Sequence, residues 1–110
     1  MSFINLAELK EVERLPGFRV RFAHSDHITM AYWHIQAGAF APEHTHRHEQ
    51  ISSVVEGDLE LTIAGETQIV KPGQVAIIPG NAPHSARAIT NVHVIDVFYP
   101  VREDYRKASS

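Results

Sequence analysis

A chain of 110 residues has the size of one domain with one core, and its 10 basic against 13 acidic side chains form no basic stripe of the kind that tracks phosphates, which argues against a nucleic-acid partner. The absence of cysteine removes disulfides, thiolate metal ligands and a cysteine nucleophile together. No apolar run approaches membrane-spanning length, and Glu8, Lys10 and Glu11 occupy the stretch where an export signal would be apolar, so a cytoplasmic protein without a membrane partner is expected.

In chain order, residues 3–5 suggest a short strand, and Leu6 to Glu13 suggests one or two helical turns capped by Asn5. Leu15-Pro16-Gly17 is a turn. Phe18 to Ala23 then alternates, with Phe18, Val20 and Phe22 on one face and Arg19 and Arg21 on the other, as a strand with one wet face does. After a turn at Ser25-Asp26, Ile28 to Gln36 is rich in β-formers and stops at Gly38. Pro42 precedes a histidine-bearing strand that runs on through Ile51 to Val55. Leu59–Ile63, Thr67–Val70, Val75–Ile78, His84–Ile89 and His93–Tyr99 follow, separated by turn residues such as Gly65-Glu66, Pro72-Gly73 and Pro79-Gly80-Asn81. Many short strands with frequent turns predict an all-β sandwich or barrel in one domain: a strand and helical turn over 3–15, a barrel over 18–99 and a polar tail over 100–110 that frays at Ser109-Ser110.

Histidine is the unusual residue: there are eight, and His44, His46 and His48 fall within five positions. His44, His46 and Gln50 share parity, so on one strand their side chains point the same way. Two imidazoles and an amide oxygen make most of a site for a metal of borderline softness, and His84 is the best candidate for a fourth ligand. The donor set suits nickel, manganese, iron, zinc or cobalt without choosing among them. His48 has ligand parity and is either a partner that orients a ligand or a rim residue, whereas Glu49 faces away. His24, His27, His34 and His93 have no partner spacing and are expected at the surface or satisfied locally.

These residues resemble the two cupin motifs. Gly38, five residues, His44-x-His46, three residues, Gln50, six residues and Gly57 match the first; Gly73, Pro79 and His84 match the second. Gln50 stands where most cupins have Glu, Asn81 where the second motif has another glycine, and Ala88 where asparagine is common. The resemblance implies a cupin jelly roll, a double-stranded β-helix barrel, holding one divalent transition metal.

The last strand carries a second constellation. Asp96 and Phe98 share a face and Arg102 follows Pro100; an acid on so apolar a strand is costly to bury unless something needs it, and an Asp96–Arg102 salt bridge closing the barrel is the structural alternative. The run HRHEQ, the segment IPGNAPH and above all DVFYPVREDY are similar to the small KdgF-type cupins, the pectin degradation proteins. That resemblance implies ring opening of 4,5-unsaturated monouronates from pectin or alginate. His44, His46, Gln50 and His84 would hold the metal, with catalytic Asp96, Phe98 and Arg102. Arg102 would hold the carboxylate of a small anionic sugar acid, Asp96 would move a proton as water adds and the hemiketal opens, and Phe98 would pack on the sugar. Arg19, Arg21 and Arg87 are rival carboxylate partners, and Trp33, Tyr32 and Phe40 are possible cavity walls. A dioxygenase on a small enolic or aromatic substrate and a non-catalytic small-ligand-binding cupin are the alternatives. Because the last strand is apolar on both faces, a homodimer is expected.

Overall fold

Alternation decides which face of each strand turns inward. The structure, a computed structural model, describes residues 2–108. Its strands are β1 (Val12–Leu15), β2 (Phe18–His24), β3 (Thr29–Ile35), β4 (Phe40–His44), β5 (Glu49–Glu56), β6 (Leu59–Ile63), β7 (Glu66–Val70), β8 (Val75–Ile78), β9 (His84–Ala88) and β10 (Val92–Tyr99), followed by a helix, α1 (Glu103–Ala108). All pairings are antiparallel. One sheet runs β1-β2-β3-β10-β5-β8 and the other β4-β9-β6-β7. Phe18, Val20 and Phe22 of β2, Ala31, Trp33 and Ile35 of β3, and Val92, Val94 and Phe98 of β10 face Leu59, Leu61 and Ala88 of the smaller sheet across one core. This is the expected jelly roll.

The ends of the chain differ from the sequence reading. Residues 3–5 form no strand. The helical expectation for 6–13 shrinks to a 3₁₀ turn at Leu6–Glu8, where the Asn5 side chain accepts from the Ala7 N–H at 3.1 Å. Val12 to Leu15 instead pairs with β2, which buries part of Val12 against the core. The polar tail is also not loose. Glu103–Ala108 is helical, anchored by Tyr105, whose ring stacks on Phe22 at 4.6 Å between centroids. Ser109 and Ser110, where fraying was expected, lie outside the described residues. Pro42 lies within β4 rather than before it. β4 is an edge strand with an irregular register between Ala41 and His44, where a missing N–H is tolerated.

The glycine closing the first motif has a plain cause. Gly57 has φ +83°, and a Cβ there would stand 2.0 Å from the Asn91 carbonyl oxygen. No helix among the described residues is long and apolar enough to cross a membrane.

Candidate active site

Three imidazoles meet at one end of the barrel. His44 closes β4, His46 sits in the 45–48 turn that crosses from one sheet to the other, and His84 opens β9 opposite His44. Shared strand parity is therefore not what unites His44, His46 and Gln50: they come from two strands in different sheets and the turn between them. That turn is braced by the second motif. The Asn81 N–H donates to the His46 carbonyl at 2.7 Å from a left-handed conformation (φ +67°), which asparagine tolerates in place of glycine. One ligand atom from each of His44, His46 and His84 can be chosen so that all three lie within 4.8 Å of one another.

Backbone carbonyls fix the tautomers. Nδ1 of His44 lies 2.9 Å from the Pro42 oxygen, Nδ1 of His46 3.0 Å from the His48 oxygen, and Nδ1 of His84 2.8 Å from the Ala82 oxygen. A carbonyl only accepts, so each Nδ1 carries the proton and each Nε2 presents a lone pair. Gln50 is oriented too: its Nε2 donates to Ser52 Oγ at 3.0 Å, which leaves Oε1 facing His46 Nε2 at 3.1 Å. Two lone pairs at that distance repel unless a cation lies between them, and two ligands at right angles with bonds of about 2.1 Å to one ion stand about 3 Å apart. His84 Nε2 is buried with no hydrogen-bond partner among the described residues, an acceptor left open. The donor set thus fits a divalent transition metal, with three imidazole nitrogens and one amide oxygen. Burial, helped by the charge of Arg102, holds His46 down to about 4, and burial likewise lowers His84. Both are neutral near pH 7, the form in which an imidazole can bind a metal.

Asp96 lies deeper in the barrel on β10, opposite Ser52 of β5 and Ala31 of β3. Burial pushes its carboxyl up to about 6, against the opposing pull of Ser52, Trp33 and Gln50. Among the described residues, its Oδ1 and the nearby Trp33 Nε1 are buried without a partner in hydrogen-bond geometry. The Asp96–Arg102 salt bridge does not form. Arg102 forks onto Asp104 instead, Nε to Oδ1 at 3.0 Å and Nη2 to Oδ2 at 2.8 Å. Phe98 is fully buried, with its ring 5.7 Å from that of His46 and 4.8 Å below the Arg102 guanidinium.

His44, His46, Gln50, His84, Asp96, Phe98 and Arg102 all line one cavity of about 360 Å³. Trp33 lines it as well, but Tyr32 and Phe40 do not, and neither do Arg19, Arg21 and Arg87. Arg19 and Arg21 pair with Glu11, and Arg87 lies over the exposed Phe40 ring. His48 steadies His46 through its main-chain oxygen and its side chain is not in the lining, while Glu49 is exposed. His24 bonds Thr29, His34 and His93 stack on each other in an outer groove, and His27 is exposed.

The cupin domain family matches residues 31–98, from β3 to β10. The pectin degradation protein KdgF of Dickeya dadantii is 35% identical over 83 residues, 74% of this chain and 76% of that protein. The chain belongs to the KdgF-type cupins. The solved structure of KdgF from a Halomonas species superposes with a TM-score of 0.89 at 30% identity, covering 96% of this chain and 98% of that one. An RmlC-like cupin from Shewanella frigidimarina superposes with a TM-score of 0.90 at 25% identity, covering 96% of each chain.

Among the residues of this KdgF-type cupin's cavity not singled out in the sequence are Ser52, Asp104 and Tyr105. Ser52 was legible, since it follows Gln50 by two on an alternating strand and so shares its inward face. Asp104 and Tyr105 were not, because no periodicity in so short a tail tells which side of it returns to the barrel.

Proposed function

We propose that this KdgF-type cupin opens the ring of 4,5-unsaturated monouronates, as released from pectin or alginate, to the linear keto acid. The observation that carries this reading is one cavity in which a metal-ligand set, a buried carboxyl of raised pKa and an arginine stand together. The substrate has matching parts: hydroxyl and ring oxygens, an enol ether that must gain a proton, and a carboxylate.

A divalent metal held by His44, His46, Gln50 and His84 would supply Lewis-acid polarisation of substrate oxygens. Arg102 binds the carboxylate and so orients the sugar. Phe98 packs against the ring and keeps water from the floor of the cavity. The net reaction is an isomerisation. C4 of the enol ether gains a proton, C5 becomes a ketone, the anomeric carbon becomes an aldehyde as the ring opens, and one hydroxyl proton is released. Asp96 suits both transfers, because a carboxyl near pKa 6 is present in both forms around neutral pH.

The test is the loss of the conjugated double-bond absorbance of the unsaturated monouronate, against a protein-free control. Wild type should accelerate it. Asp96→Asn should lower turnover by about 10²–10⁴-fold while retaining metal; unchanged turnover in that variant would remove Asp96 from the mechanism.

A further inference from the structure

We propose that Asp104 is a positioning residue, a built-in counter-carboxylate that holds the Arg102 guanidinium with one edge turned to the substrate's carboxylate. The inference rests on the reading that Arg102 receives that carboxylate. Arg102 is held at its backbone, against two aromatic rings and along one guanidinium edge. Its backbone N–H donates to the buried Thr29 hydroxyl at 2.9 Å. Its guanidinium is 4.8 Å from the Phe98 ring and 3.9 Å from the Tyr105 ring, so aromatic groups cover it. The Nε/Nη2 edge is occupied by both oxygens of Asp104.

The guanidinium has five N–H donors in two usable forks. With one fork taken, the Nη1/Nη2 edge remains, and Nη1 has no partner among the described residues. Both Arg102 and Asp104 line the cavity. Asp104 itself is half exposed, its side chain 52% accessible against 9% for Arg102, so its own charge is carried in solvent contact while it fixes a buried one. The Arg102 hydrogen bond is also the main cause that keeps the Asp104 carboxyl below its ordinary range, so the clamp stays charged at neutral pH. The rival role for Asp104 is a competitor occupying the place of the substrate carboxylate, and the two roles predict opposite signs.

Calorimetric titration of D-galacturonate, with uncharged D-galactose as control, into metal-loaded protein separates them. Wild type should prefer galacturonate. Asp104→Asn should weaken galacturonate binding about tenfold, and Asp104→Glu should stay within about threefold of wild type. On the unsaturated monouronate, Asp104→Asn should raise KM about tenfold and leave kcat within about threefold, because the carboxylate contact exists in ground and transition states alike. Galacturonate binding in Asp104→Asn within twofold of wild type, or tighter, overturns the proposal, as does a wild type that does not distinguish galacturonate from galactose. The expected binding pattern without turnover of the unsaturated sugar sinks the ring-opening reading alone. Turnover with KM unmoved by Asp104→Asn sinks the positioning role alone.

Discussion

Asp96 is the residue whose burial runs most against its own chemistry. Its folded-state pKa of about 6 lies above the ordinary 3.8, so between those values the folded protein keeps a proton that the unfolded chain has lost. The stability this group contributes is full below about pH 4 and disappears as pH rises through about 6, a difference of about 3 kcal/mol. His46 runs the other way, since its lowered pKa disfavours the fold as pH falls through 6.5 toward 4. Comparing Asp96→Asn with wild type cancels the His46 effect. In urea unfolding of metal-stripped protein, the variant's stability relative to wild type should rise by up to about 3 kcal/mol between pH 4 and pH 8; a difference flat in pH contradicts the buried charge. His46→Ala should lose bound metal by elemental analysis, because its Nε2 and Gln50 Oε1 face each other across the position the ion would take. Full metal retention in that variant would refute the ligand assignment.

At the scale of elements, the β5–β6 bend holds the barrel at the end away from the cavity, and helix α1 brings Asp104 and Tyr105 to it. Gly57→Ala should cost about 2 kcal/mol or more, because left-handed backbone strain adds to a Cβ with 2.0 Å to the Asn91 oxygen. At Gly73, where a Cβ meets nothing within 4 Å, only the strain remains, so thermal melts should show the smaller loss there. Equal losses would mean that the Asn91 contact is relieved elsewhere. Tyr105→Ala should destabilise by about 3 kcal/mol, since it removes a ring packed on Phe22, Trp33 and Phe98.

Strands β2, β3, β5, β6, β8 and β10 were legible because they alternate, and Leu59–Ile63 and Val75–Ile78 are bounded in the structure as in the sequence, whereas β1, with no such alternation, was read as helical turns. Helix α1 was not legible, because the contacts that dock it, the Tyr105 ring on Phe22 and Trp33 and the Arg106 hydrogen bond to the Ser25 carbonyl, reach residues far away in sequence. The His44, His46 and His84 cluster was legible through its spacing, though not for the reason of strand parity. The tautomers that aim it depend on the carbonyls of Pro42, His48 and Ala82, and no side-chain pattern announces those.

For the whole molecule, the outer face of the six-stranded sheet exposes apolar side chains at its β8 edge. On β10 the outward Ile95 and Val97 are already half buried. The more exposed apolar side chains lie at the sheet's edge, where Ile51 pairs with Ile77, and Val75 and Ile77 are 58% and 66% exposed. A homodimer would find more exposed apolar surface on β5 and β8 than on β10. A 12.3 kDa chain should sediment at about 25 kDa, and Ile77→Glu should return it to monomer; a monomeric wild type contradicts the dimer.

Proton NMR of the unsaturated monouronate with metal-loaded protein in D₂O reads the ring opening itself. The vinylic H4 signal should decay far faster than in the protein-free sample, with the open-chain keto acid appearing and deuterium entering at C4. An H4 signal that decays no faster than in the control would contradict it.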